Sequence, residues 1–147
     1  MSESARRHKA EAPGKLRFGI FTCSTSRYQQ LKRGERVKDV SGDLIESLLK
    51  SAGHTLAFRK LIPDDKILIE EGMREALAST YLDVVIFCGG TGITLSDITI
   101  ETVSPFLEKV LPGFGEIFRY LSFDEVGSAA VLSRATAGVS KGKAFFC

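Results

Sequence analysis

The stretch Cys88-Gly89-Gly90-Thr91-Gly92-Ile93-Thr94-Leu95-Ser96-Asp97-Ile98-Thr99 holds the residue types best suited to chemistry in this chain. A short apolar run, Val84 to Cys88, empties into a glycine-rich turn, and five residues past its last glycine stands Asp97, flanked by hydroxyls. Glycines leave backbone N–H groups bare and open to close approach. Such donors suit a phosphate, and a neighbouring carboxylate suits the cation that a phosphate brings. The structural alternative is a tight strand-to-loop connection with no ligand. The spacing matches neither the P-loop nor the dinucleotide fingerprint. Thr91 and Thr94 offer hydroxyls where a P-loop would have lysine, and a loop to Asp97 replaces an immediate helix.

A second carboxylate stands in a comparable place. Asp64 follows Pro63 directly after an apolar run ending at Ile62. Asp at a helix start is ordinary capping chemistry, and that alternative holds for Asp64 and Asp97 alike. Each nevertheless follows a predicted parallel strand, so both carboxylates are expected at one sheet edge. Two carboxylates near a phosphate cradle can bind Mg²⁺, which prefers oxygen ligands and keeps several waters. Glu101 reads as a first-turn helix acid favoured by the helix dipole, and Asp39 as the cap of a helix near Ser41. His8 sits in the N-terminal arm and His54 opens a strand, so neither forms a nucleophilic triad.

The elements that must position these groups show in the hydrophobic pattern. Leu16 to Cys23 is a compact apolar run, read as a buried strand followed by the polar loop Ser24-Thr25-Ser26-Arg27. The charged stretch Tyr28 to Lys38 reads as a surface loop. Leu44, Ile45, Leu48, Leu49 and Ala52 fall on one helical face, closed by Gly53. Thr55 to Ile62 reads as a second strand, and Ile69, Met73, Ala76 and Leu77 mark a second helix. Val84 to Cys88 is the third strand. Strands alternating with helices predict an α/β fold with a mostly parallel sheet covered on both faces. Ligands in such folds lie beyond the carboxyl ends of the strands, where loops begin at Ser24, Pro63 and Gly89.

Farther on, Thr102 to Leu111 reads as a short helix stopped before Pro112. Pro112 to Glu116 reads as a turn feeding a helix through Ile117, Tyr120 and Leu121. Ser140-Lys141-Gly142-Lys143 reads as a hairpin turn between two short apolar stretches.

At 147 residues the chain is one domain with room for a core, and 44% of its residues are hydrophobic. A net charge of +2 does not call for nucleic acid or an anionic membrane. No apolar run approaches the ~20 residues needed to span a bilayer. Residues 1–15 are polar and charged, unlike a secretory signal, and read as a disordered arm. Cys23, Cys88 and Cys147 are odd in number and widely spaced, which gives neither a disulfide framework nor zinc spacing. A reducing cytoplasm is the expected setting.

Taken together, GGTGITLSDIT, Glu101, PGFGE at 112–116 and LSRA at 132–135 resemble the MoaB/MogA family of molybdenum-cofactor biosynthesis. Asp39-Val40-Ser41-Gly42 resembles the start of that family's first helix, and Leu61-Ile62-Pro63-Asp64 the start of its second. The resemblance runs from Leu16 to Cys147. It implies a three-layer α/β/α sandwich of the molybdopterin-binding type, assembled as a homo-trimer or homo-hexamer. It implies Mg²⁺-dependent transfer of AMP from ATP to molybdopterin, releasing pyrophosphate and preparing the pterin for molybdate or tungstate. The family's two functional aspartates fall on Asp64 and Asp97, which would hold Mg²⁺. Gly89, Gly90, Thr91 and Gly92, with Ser24, Ser41, Gly42 and Glu101, would bind the substrates. A MoeA-like metal-inserting protein is the implied partner. The loop at Ser24 departs from the family's Ser-Asp-Arg pattern, and Arg134 is open to an anion or to a neighbouring subunit. The family's Pro-Gly-Ser loop and final helix would follow Cys147, so the domain at 16–147 is expected to lack them. The alternative function is a non-catalytic molybdopterin-binding or carrier protein.

Overall fold

The computed structural model describes residues 3–147. Met1 and Ser2 of the predicted arm, and the side chain of His8, lie outside the described residues. The core elements are strand β1 (Arg17–Cys23), helix α3 (Val40–Ser51), strand β2 (Thr55–Ile62), helix α4 (Lys66–Ala78) and strand β3 (Val84–Cys88). A hairpin of β5 (Ala137–Ser140) and β6 (Lys143–Phe146) completes the sheet, with the two-residue strand β4 (Lys109–Val110) at its edge. The strand order is β2-β1-β3-β6-β5-β4. β2, β1, β3 and β6 run parallel, while β5 and β4 pair antiparallel, so the mostly parallel expectation holds.

Alternation along the strands sends side chains to two cores. Phe21, Cys23, Val85, Phe87 and Phe145 face α4, where Ile69, Met73 and Ala76 are sealed from solvent. Phe21 stacks on Phe87 at 4.7 Å between ring centres and meets Phe58 edge-on at 5.2 Å. Phe18, Ile20 and Val84 face the other way, onto Leu49 and Ile45 of α3. Helices therefore cover both faces, and each fully buried large side chain contributes about 1.5–3 kcal/mol.

From β1 the chain crosses to β2 on one side, then returns past β1 to β3 on the other. The order reverses between β1 and β3, where an open α/β sheet places its ligand crevice. The carboxyl ends of those strands are Cys23 and Cys88. The loops at Ser24 and Gly89 therefore flank the crevice.

Four expectations change. Residues Glu3–Glu11 form an exposed helix, α1, where a disordered arm was predicted, and Arg7 pairs with Glu11 one turn on. Thr25–Lys32 is a helix, α2, where the sequence predicted loop from Tyr28 on; it has no buried residue and so no apolar stripe to read. The helix expected over Thr102–Leu111 lies earlier, as α5 (Thr99–Val103) and the 3₁₀ turn Ser104–Phe106, followed by β4. Pro112 starts helix α6 (Pro112–Val126) directly, so PGFGE is its first turn rather than a preceding one. The hairpin turn stands as expected, with Lys141 and Gly142 both at positive φ, as a two-residue turn of this type requires.

At the amino ends of the strands, Arg17 clasps Asp83 through two guanidinium nitrogens at 3.0 Å, and its backbone N–H donates to the same carboxylate at 2.8 Å. The Arg17 side chain and backbone pull the Asp83 carboxyl down to about 2. A folded-state value below the unfolded one adds stability above about pH 4, and that stability fades as pH falls toward 2. Asp83→Asn is therefore expected to flatten the acid limb in that window. Urea midpoints against pH check this; parallel curves for the two proteins would refute it.

Candidate functional site

Capping chemistry separates the two acids after Pro63. Asp65 caps α4, its carboxylate accepting the Leu68 N–H at 3.0 Å. That leaves Asp64 for other work. Its Oδ2 accepts from both the backbone N–H and the hydroxyl of Thr25, each at 2.9 Å. The Thr25 hydroxyl accepts from the Asp64 N–H at 3.0 Å, so the two loops lock each other. The other oxygen, Oδ1, is sealed from solvent and makes no hydrogen bond.

The glycine loop is built around this carboxylate. Gly89 (φ +98) and Gly90 (φ +61) take backbone conformations that side chains strain to adopt. A Cβ on Gly89 would stand 2.1 Å from the Cys23 carbonyl oxygen, so β1 and the loop meet backbone to backbone. A Cβ on Gly90 would stand 2.5 Å from Asp64 Oδ1 and 2.3 Å from Thr99 Oγ1. Two residues on, a Cβ on Gly92 would stand 2.7 Å from Asp97 Oδ2. One short loop thus runs past both predicted carboxylates.

Asp97 folds back on its own loop. Its Oδ2 accepts from the Thr94 N–H at 2.9 Å and the Thr94 hydroxyl at 2.6 Å. The Thr94 hydroxyl and backbone, assisted by Gly92, hold this carboxyl below the usual carboxylate range, so it stays charged.

Arg134 ties this loop to α5. Its guanidinium donates to the Thr91 carbonyl at 3.0 Å, to the Asp97 carbonyl at 3.2 Å and to both carboxylate oxygens of Glu101. Arg134 holds Glu101 below its usual range. Glu101 is therefore bound to Arg134, which clamps this loop to α5 within the chain. Ile93, Leu95, Asp97 and Glu101 border a cleft of about 340 Å³ beside it. Arg134→Ala is expected to raise amide hydrogen exchange across residues 91–97 at least about tenfold, read by mass spectrometry. Unchanged exchange there would contradict the clamp.

The remaining predicted residues separate. Ser24 starts α2, its hydroxyl 3.4 Å from that of Ser26. Ser41 is exposed on the first turn of α3. Gly42 is buried against an ionic cluster: its N–H donates to Asp39 at 3.1 Å, and a Cβ would collide with Asp39 Oδ2 and Arg59. Asp39 also accepts from the Thr22 hydroxyl at 2.8 Å and Arg59 at 3.0 Å. Burial works to raise the Asp39 carboxyl, but Gly42, Arg59 and Thr22 outweigh it and hold it low. Asp39 therefore caps α3 as the sequence predicts, and Gly42 leaves it the room to do so.

Sequence reasoning gave no role to Arg59, did not pair Thr25 with Asp64, and did not single out Thr99. Thr25 and Arg59 carry no pattern; Thr99, two residues past Asp97, lies in the quoted motif without distinction. Thr99 is fully buried, its N–H donates to the Gly90 carbonyl at 3.0 Å, and its hydroxyl makes no hydrogen bond.

An apolar cavity of about 290 Å³ adjoins Gly89 and Thr91, walled by Ile86, Phe114, Phe118 and Phe146. The glycine loop, the charged acids and an apolar wall thus meet at the switch point, where α/β domains place their ligand crevice.

The chain belongs to the molybdenum-cofactor biosynthesis family: residues 19–147 match the domain described as "Probable molybdopterin binding domain". It is 42% identical over 144 residues to molybdenum cofactor biosynthesis protein B of Bacillus subtilis, covering 97% of this chain and 81% of that protein. It is 47% identical over 137 residues to the molybdopterin adenylyltransferase of Pyrococcus furiosus, covering 92% and 76%. Among solved structures it resembles the tungsten cofactor synthesizing protein MoaB from Pyrococcus furiosus. That likeness has a TM-score of 0.78 and 42% identity over 92% of this chain and 82% of the other.

Proposed function

We propose that this protein is a molybdopterin adenylyltransferase, joining AMP from ATP to the terminal phosphate of molybdopterin. The observation that carries the reading is the unpartnered Asp64 Oδ1 at the bend of a loop that also passes Asp97. A buried carboxylate oxygen without a partner costs free energy that a bound cation offsets. The relatives named as molybdopterin adenylyltransferases, 39–47% identical over most of the chain, support the reaction.

In this reading a phosphate oxygen of the pterin attacks the α-phosphorus of ATP. The new P–O bond forms as the bond to the β-phosphate bridge breaks, and pyrophosphate leaves with the electron pair. No protein nucleophile is needed, so the chain's work is positioning and charge neutralisation. Backbone N–H groups of Gly90 and Thr91 and the Thr91 hydroxyl donate to phosphate oxygens. Asp64 and Asp97 fit Mg²⁺, which when bound neutralises charge building on those oxygens. Thr25 fixes the Asp64 carboxylate, and Thr94 and Arg134 fix the loop bearing Asp97. Ser24, at the start of α2, and Ser41, on the first turn of α3, would face the pterin or its phosphate.

We place the protein in the cytoplasm, as a homo-trimer or homo-hexamer that passes its product to a MoeA-like metal-inserting protein. Three free cysteines suit a reducing compartment. No helix among the described residues is long and apolar enough to cross a membrane. Ile117, Tyr120 and Leu121 of α6, all more than half exposed, suit a face covered in an assembly.

Mixing the protein with molybdopterin, ATP and Mg²⁺ tests the reading. Pyrophosphate release that requires all three is expected. Tight pterin binding with no pyrophosphate would identify a carrier instead.

A further inference from the structure

Two oxygens at the glycine loop are sealed and unpartnered: Asp64 Oδ1 and Thr99 Oγ1. No other buried side-chain nitrogen or oxygen among the described residues is left so. Both border one point, the place a Cβ on Gly90 would fill. The Thr99 hydroxyl is held there by backbone rather than by chance, because its N–H bonds the Gly90 carbonyl. The Cys23 thiol beside it is at most a weak hydrogen-bond partner.

Burying a hydroxyl without a partner costs free energy, and two such atoms side by side point to one shared ligand. Among the described residues, no three His, Cys, Asp or Glu groups gather as a metal set. A cation here must therefore draw on other oxygens. Mg²⁺ accepts this readily, since it takes one or two carboxylates and completes its shell with hydroxyl, water and phosphate oxygens.

We infer that Thr99 supplies a hydroxyl oxygen to the same cation as Asp64, so that the site is a carboxylate–hydroxyl pair across Gly90. This rests on the reading above that Asp64 holds a divalent ion during ATP use. The role is specific to the hydroxyl: Ser at 99 preserves it, and Val, of similar shape, removes it.

Calorimetric titration of ATP onto the full chain, with Mn²⁺ and then with EDTA, measures the metal-dependent gain in affinity without any turnover. The wild type and Thr99→Ser are expected to show the gain, and Thr99→Val to lose about tenfold or more of it. Affinity for ATP in EDTA is expected to be the same for all three. The thermal midpoint of Thr99→Val is expected at or above that of the wild type, because an unpartnered hydroxyl gives way to a methyl. If Thr99→Val keeps the full gain while Asp64→Asn loses it, the inference is overturned and the reading of Asp64 stands. If Asp64→Asn also keeps it, or the wild type shows none, the cation reading itself is overturned. A lowered midpoint for Thr99→Val would show that the protein already satisfies the hydroxyl, and would equally overturn the inference.

Discussion

Asp64→Asn is expected to lower molybdopterin adenylylation at least about 10²-fold while the fold survives. The amide oxygen of Asn can still accept from the Thr25 N–H and hydroxyl, so the lock between the two loops remains. Oδ1 has no protein partner to lose, so stability should change by no more than about 1 kcal/mol. What disappears is the negative charge beside Gly90. Asp97→Ala is a less clean test, because it also frees the Thr94 N–H and hydroxyl and loosens the loop. Steady-state rates at saturating ATP, beside urea midpoints, check the prediction. An unaltered rate would remove Asp64 from the mechanism.

Gly89→Ala is expected to cost about 2–4 kcal/mol of stability, the largest single loss in this region. The position sits at φ +98, where a side chain is strained by about 1–3 kcal/mol. Its Cβ would stand 2.1 Å from the Cys23 carbonyl oxygen, and backbone cannot swing aside as a side chain can. Gly90→Ala differs in kind. Its clash is with Asp64 Oδ1 and the Thr99 hydroxyl, so it should damage the site more than the fold. A lowered urea midpoint at unchanged slope would report the Gly89 effect. A Gly89→Ala protein as stable as the wild type would mean that β1 and the loop do not meet as described.

The parts of the molecule that were legible are those whose side chains repeat. β1, α3, β2, α4 and β3 each bury a face, and burial writes a period of two or of 3.6 into the sequence. The Ser140–Lys143 turn was legible from its glycine. α2 was not, because it buries nothing, and its first residue is held by a carboxylate 39 positions away. β4 escaped for a similar reason, since two residues pair only because β5 arrives beside them.

At the site, residue types marked the loop and both aspartates, but not the division of labour. Pro63-Asp64-Asp65 offers two carboxylates, and only the capping bond from Leu68 to Asp65 leaves the other free. Gly42 makes room for Asp39 and Arg59, a demand that no spacing in the sequence marks. Arg134 was ambiguous because its partners, Thr91, Asp97 and Glu101, lie more than thirty residues upstream. Thr99 lay in the motif only as one hydroxyl among several; its distinction is a missing hydrogen bond, which only the fold reveals.

The central claim is that the corner transfers AMP rather than only holding a pterin. ATP labelled at the α-phosphate, incubated with the protein, Mg²⁺ and molybdopterin, tests it most directly. The account predicts label on the pterin, one pyrophosphate for each label transferred, none on the protein, and a fall in transfer of at least about 10²-fold in Asp64→Asn. Molybdopterin that binds and is recovered unlabelled, with ATP intact, would contradict it.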